Sequence, residues 1–141
     1  MGCGPGQFAE LLRYQGITRY VGFDYSHAAI AIARKRLPEV DFRVDDARIS
    51  KLYSSVPHDI VICTEVLEHI EEDLQVLSAF RPGVRVIATV PSYDSHSHVR
   101  FFKNTDEVLT RYRASFERVE VHAFELDTKS RFYLLDGLRG G

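Results

Sequence analysis

The chain has 141 residues, 45% of them hydrophobic and 27% charged, with a formal net charge of −2. That is the composition of an ordinary globular chain, and its near-neutral charge leaves no general electrostatic footprint for nucleic acid. No run of about 18 apolar residues is present to span a membrane, no secretory signal is visible, and two cysteines, Cys3 and Cys63, cannot build a disulfide framework, so a cytoplasmic location is expected.

Met1-Gly2-Cys3-Gly4-Pro5-Gly6 is a glycine-rich turn with no strand ahead of it. Phe8, Leu11 and Leu12 follow at helical spacing, and Gly16 reads as the stop. Arg19 to Phe23 predicts a strand ending at Asp24. Ser26 caps a helix through Ile30 and Ala33, and Arg34, Lys35 and Arg36 complement its C-terminal dipole before Pro38. Asp41 to Val44 predicts a second strand, followed by Asp45-Asp46-Ala47. Asp59 to Cys63 has a continuous apolar run, which predicts a strand buried on both faces. A helix carrying Leu74, Leu77 and Phe80 stops at Pro82-Gly83, and Val84 to Val90 is the next strand, ended by Pro91. Ser92 to Lys103 is a turn-rich, His-rich loop. Asn104 caps a helix with Asp106 and Glu107 in its first turn and Val108, Leu109 and Tyr112 facing the core. Phe116 to Phe124 and Phe132 to Leu138 are two strands with no helix between them, which predicts an antiparallel pair. The whole predicts an α/β fold: a doubly wound, Rossmann-like, mostly parallel sheet with a C-terminal antiparallel strand pair.

The glycine turn lets backbone approach a ligand closely and aims a helix N-terminus at an anion. Asp24, eighteen residues beyond Gly6, ends the next strand, where a carboxylate can accept from both hydroxyls of a ribose. Asp46-Ala47 ends the strand after that, where an acid can accept from an exocyclic amine. Together they predict an adenosine ligand with an anionic group at the turn. The spacing of the glycines differs from the dinucleotide fingerprint, and an NAD-binding dehydrogenase is the lesser reading.

The order Gly2-Cys3-Gly4-Pro5-Gly6, then Val21-Gly22-Phe23-Asp24-Tyr25-Ser26, then Val44-Asp45-Asp46-Ala47, resembles the class I S-adenosylmethionine-dependent methyltransferases. Asp59 to His69, Phe80 to Ile87 and the C-terminal pair extend the resemblance over nearly the whole chain, and the C-terminal half is similar to members acting on quinones and other small metabolites. The resemblance implies that Gly2, Gly4 and Gly6 pass the amino-acid moiety of S-adenosylmethionine and that Asp24 binds its ribose. It implies further that Tyr25 packs on the adenine, that Asp46 and Ala47 contact the adenine edge, and that Thr64 and Glu65 line the cleft near the sulfonium. It also implies a first strand with a terminal acid two residues before the first glycine, a position ahead of Met1. Met1 is therefore expected to be an internal residue, and residues 1–141 to be one cofactor-binding domain that lacks its first strand. Family-sized elements and connections sum to roughly 160 residues, in the same direction.

An oxygen or nitrogen acceptor can need a base for its proton. Glu65, Glu68 and His69 are spaced to share one side of a helical turn, and His96 and His98 lie in the loop after Pro91. His69 and His98 are the candidate catalytic bases, for a small-molecule hydroxyl acceptor. No metal site is assigned. A competing reading takes Glu65, Glu68, His69 and His98 as ligands of a divalent metal, a set that resembles that of the small-RNA 3′-terminal 2′-O-methyltransferases. The plain structural reading has His69 holding a loop. A cofactor-binding module without activity is the alternative from another class. Cys3 and Cys63 read as small apolar fillers beside the cofactor. The sequence does not specify the acceptor or the oligomeric state.

Overall fold

The computed structural model describes residues 1–141, which form two units, Met1–Ser50 and Lys51–Gly141. The first unit runs α1 (Gln7–Tyr14), β1 (Val21–Asp24), α2 (His27–Arg36), β2 (Asp41–Val44). β1 and β2 pair in parallel, from Val21 opposite Asp41 to Asp24 opposite Val44, so the chain needs the crossover that α2 supplies. The Ser26 hydroxyl caps α2 by accepting from the Ala29 N–H at 3.2 Å. Ala9, Ile30, Ala33, Leu37 and Phe42 form the core, with Cys3, Tyr20 and Val40 packed against it. The Arg34 guanidinium donates to the Phe42 carbonyl at 3.0 and 2.7 Å. That side chain thus ties the end of α2 to β2 besides complementing the helix dipole.

The second unit contains α3 (Leu52–Ser55), β3 (Ile60–Thr64), a 3₁₀ turn (Leu67–His69), α4 (Asp73–Ala79), β4 (Arg85–Pro91), α5 (Thr105–Tyr112), a second 3₁₀ turn (Arg113–Ser115), β5 (Phe116–Glu125) and β6 (Arg131–Arg139). Its sheet has the order β3-β4-β6-β5. β3 and β4 are parallel, and β6 runs antiparallel to both β4 and β5. The connection from β5 to β6 is closed by the Asp127 carboxylate, which accepts from the Lys129 and Ser130 N–H groups at 2.7 and 2.8 Å. The pairing of β5 and β6 carries a bulge between Phe116 and Arg118. Gly137 pairs with Val119, and a Cβ there would meet the Phe116 ring at 2.6 Å, so the packing of that ring needs a residue without a side chain.

The α/β class, the parallel βα steps and the antiparallel C-terminal pair agree with the sequence. Two details differ. β3 is not buried on both faces: Val61 and Cys63 are buried but Ile60 is 47% exposed, because successive side chains point to opposite faces of the sheet and only one of those faces is fully covered here. Leu74 faces outward at 41% exposure while Val76 and Leu77 are buried, because α4 begins at Asp73, which itself turns inward. The strands ending at Asp24 and Thr64 lie in separate sheets. No helix is long and apolar enough to cross a membrane.

The contrast on α4 is measurable. Leu77→Ala removes a fully buried side chain and is expected to cost about 2–5 kcal/mol in urea unfolding. Leu74→Ala is expected to cost about 0.5 kcal/mol or less. Equal losses would contradict the packing.

Candidate active site

The glycine loop has the backbone it was expected to need. Gly2, Gly4 and Gly6 have φ of 62°, 50° and 83°, left-handed values that disfavour any side chain. Asp24 at the end of β1 holds the loop. Its carboxylate accepts from the Gly4 N–H at 3.0 Å and from the Ser26 N–H at 2.9 Å. An ionised carboxylate has about four lone-pair sites, so two remain after these bonds, enough to accept from two vicinal hydroxyls. Tyr25, next along, is 80% exposed. Asp46 follows β2 and is clasped by Arg48, whose Nη2 and Nε lie 2.5 and 3.0 Å from its carboxylate oxygens. The Arg48 side-chain bonds hold the Asp46 carboxyl below the usual carboxylate range. Asp46 would share its acceptor atoms with Arg48, a partner the sequence reading did not foresee. Ala47 follows Asp46 in the same loop.

In the second unit, Thr64 ends β3 and Glu65 follows with φ of 54°. That is a strained value for a residue with a side chain, of a kind that concentrates at functional sites. Two bonds with Thr89 hold it. The Glu65 N–H donates to Thr89 Oγ1 at 3.1 Å, and that hydroxyl donates to Glu65 Oε1 at 2.8 Å. This break in the backbone means Glu65, Glu68 and His69 do not share a regular helical turn as expected; a short 3₁₀ turn, Leu67–His69, brings them together instead.

Glu68 is fully buried, and neither of its carboxylate oxygens has a hydrogen-bond partner. Around it stand groups that accept. His69 Nδ1 lies 2.9 Å from the Ser97 carbonyl and His98 Nδ1 lies 3.1 Å from the Tyr93 carbonyl. A carbonyl only accepts, so each Nδ1 carries a proton, and Nε2 is the ring's acceptor in that tautomer. His69 Nε2 is 3.8 Å from Glu68 Oε1, and the two imidazoles meet edge to face at 5.0 Å. Burial, reinforced by the charge of Glu65, pushes the Glu68 carboxyl up to about 8. Burial also raises Glu65. The charges of the two carboxyls oppose each other, which disfavours both being ionised at once.

His69 also does what the plain structural reading gives it, since its bond to Ser97 holds the loop after β4. His96 is exposed and outside the cluster. Both cysteines are free, and burial pushes Cys3 up to about 11 and Cys63 up to about 12, so both are neutral fillers. The sequence reading missed Asp73 and Arg100. Asp73 is fully buried with Arg111 and Tyr112 on its carboxylate. Its place at the head of α4 resembles an ordinary N-terminal acid, so only the three-dimensional packing identifies it.

The family model described as a methyltransferase domain matches residues 1–133, and the chain belongs to that family, the class I S-adenosylmethionine-dependent methyltransferases. S-adenosylmethionine is the family's cofactor. The chain is 33% identical over 88 residues to a trans-aconitate 2-methyltransferase of Variovorax paradoxus, covering 59% of this chain and 34% of the relative. It is 35% identical over 107 residues to a ubiquinone biosynthesis O-methyltransferase of Thiobacillus denitrificans, covering 70% of this chain and 46% of the relative. The match thus spans less than half the length of either relative. The crystal structure of the N-methyltransferase NodS from Bradyrhizobium japonicum, in complex with S-adenosylhomocysteine, shares the fold. Its TM-score is 0.69 at 19% identity, with 96% of this chain and 74% of that chain covered.

Glu68 makes stability depend on pH. Its carboxyl is raised from an ordinary value of 4.5 to about 8, so between these values the folded chain binds a proton that the unfolded chain does not. This contribution is fully present below about pH 4.5 and is lost as pH rises through about 8. Thermal unfolding at low ionic strength is expected to show Tm falling across that window. Glu68→Gln, which keeps the shape without the ionisation, is expected to flatten the fall and to be the more stable protein at pH 8.

Proposed function

We propose that this chain transfers a methyl group from S-adenosylmethionine to a hydroxyl oxygen of a small-molecule acceptor. Residues 1–141 act in this reading as one methyltransferase domain. The observation that carries the hydroxyl acceptor is the convergence of Glu68 with two imidazoles whose Nε2 atoms are their acceptors. When bound, the cofactor supplies a methyl group already activated on a sulfonium, so the protein mainly contributes position and proton handling. The backbone of Gly2, Gly4 and Gly6 receives the amino-acid moiety, and Asp24 uses its remaining lone pairs on the ribose hydroxyls. Tyr25 covers the adenine, with Asp46 and Ala47 at its edge. Thr64 and Glu65 face the sulfonium end. Nε2 of His98 would take the proton of the acceptor hydroxyl, with His69 as the second acceptor. The buried Glu68 carboxyl beside them, neutral at rest, would give up its proton more readily next to an imidazolium.

Tyr25 offers a clean test of the cofactor half, because its exposure leaves the fold little changed when it is truncated. S-adenosylhomocysteine at about 100 times its Kd is expected to stabilise the chain by about 2.7 kcal/mol. Tyr25→Ala is expected to keep the unliganded Tm while weakening that ligand about tenfold, a loss of about 1.4 kcal/mol. For the acceptor half, His98→Ala is expected to lower kcat by roughly 10²–10⁴ with S-adenosylhomocysteine affinity unchanged. Binding without transfer to any hydroxyl acceptor would favour the cofactor-binding module without activity.

A second reading is favoured by one observation. Ligand atoms of Glu68, His69 and His98 all lie within 4.8 Å of one another, and both histidines have their Nδ1 protons fixed by carbonyl oxygens, as metal-bound imidazoles commonly do. These residues fit a divalent cation, which would lower the pKa of a bound hydroxyl. Methyl transfer stimulated by Mn²⁺ or Mg²⁺ and abolished by a chelator supports this reading. Activity indifferent to a chelator excludes it.

A further inference from the structure

Three consecutive features of the loop after β4 are stitched to the segment that carries Glu68. The Ser97 carbonyl accepts from His69 at 2.9 Å, and the Val99 N–H donates to the Glu68 carbonyl at 2.8 Å. Arg100 then reaches further than either. Its Nη1 donates to the Leu67 carbonyl at 2.6 Å and the Ile70 carbonyl at 2.5 Å, and its Nη2 donates to the Glu71 carbonyl at 3.1 Å. The Leu67 carbonyl also accepts from the Ile70 N–H at 3.3 Å, while the 3₁₀ turn does not continue as a helix that would receive the carbonyls of Ile70 and Glu71. One planar guanidinium satisfies all three, which a lysine ammonium on a flexible stem does less well.

Arg100 is itself held. Its side chain is 12% exposed, and its Nη1 lies 3.2 Å from Asp73 Oδ2. Asp73 is fixed in turn by Arg111 at 2.8 and 2.6 Å, by the Tyr112 hydroxyl at 2.8 Å, and by the Leu74 N–H at 2.8 Å. His98 sits between the stitched residues Ser97, Val99 and Arg100. Its distance from Glu68 is therefore set by bonds that neither residue makes with its own side chain.

We infer that Arg100, anchored by the buried Asp73 carboxylate, is a positioning residue that registers the His98 loop against Glu68. Arg100 touches no reacting atom in this account. Its consequence for catalysis rests on the proposed role of His98, but its effect on the loop does not.

The test compares Arg100→Met, which keeps an apolar stem and removes the guanidinium, with Tyr112→Phe, which removes a different partner of Asp73. The readout is the ¹⁵N spectrum of the imidazoles in the full chain without substrate, which reports which ring nitrogen carries the proton. In the wild type, His69 and His98 are expected to be Nδ1–H tautomers. Arg100→Met is expected to mix the tautomers at both rings, and to lower kcat about tenfold or more with the KM for S-adenosylmethionine unchanged, as a displaced catalytic group does. Tyr112→Phe is expected to lower Tm while leaving both imidazole spectra as in the wild type. A folded Arg100→Met protein with wild-type imidazole spectra would overturn the inference, as would equal spectral changes in both variants. If Arg100→Met does not fold, amide exchange in the wild type decides. The Val99 N–H is expected to be as protected as the amides of β4, and exchange at the rate of an open loop contradicts the inference. Because the spectra and the exchange need no acceptor, they stand or fall apart from the proposed methyl transfer.

Discussion

Two buried acids organise the second unit, and they are treated in opposite ways. Asp73 is given donors from every side: Arg111, Tyr112, Arg100 and the Leu74 amide. Glu68, five residues earlier, is given none. A charge out of water is tolerable when it is fully bonded, and breaking such a network by removing one partner costs about 3–5 kcal/mol. Asp73 can therefore act as an anchor for α4, α5 and the loop after β4. An acid without donors has only the option of keeping a proton or finding a cation. The fixed scaffold around Asp73 is what holds Glu68 in that condition beside two imidazoles.

The same economy of acceptors appears in the first unit. Asp24 spends half of its lone pairs holding the glycine loop and the start of α2 in place. The other half stays available to a ligand. A single carboxylate thereby shapes the loop and faces the space beyond it, which explains why a strand-end aspartate and a glycine turn twenty residues earlier act as one feature.

Much of this was legible in the sequence, and what was not has physical causes. The glycine turn, the Ser26 and Asn104 caps and the βα steps are local signals, written in residues whose backbone preferences leave little choice. The antiparallel C-terminal pair was legible because two strands followed one another without a helix. The burial of β3 was misread because a continuous apolar run does not say whether both faces of a strand are covered. The helical turn through Glu65 to His69 was misread because the positive φ of Glu65 is imposed by its Thr89 contacts rather than by its own preference. Asp73 and Arg100 were invisible because their partners lie 27 to 39 residues apart in sequence, too far for any periodicity to reveal. The candidate site residues themselves were named from the sequence. Their division between two units, and the Arg48 clasp on Asp46, were not.

The central claim is that Glu68 lacks donors and so keeps its proton at neutral pH within a cluster of acceptors. The most direct measurement is the ¹³C chemical shift of the Glu68 side-chain carboxyl, followed by NMR from pH 5 to pH 9 in chain stripped of divalent ions. The account predicts a neutral carboxyl at pH 7 that titrates near the raised value of about 8. A carboxylate already ionised at pH 6, titrating near the ordinary 4.5, would contradict it.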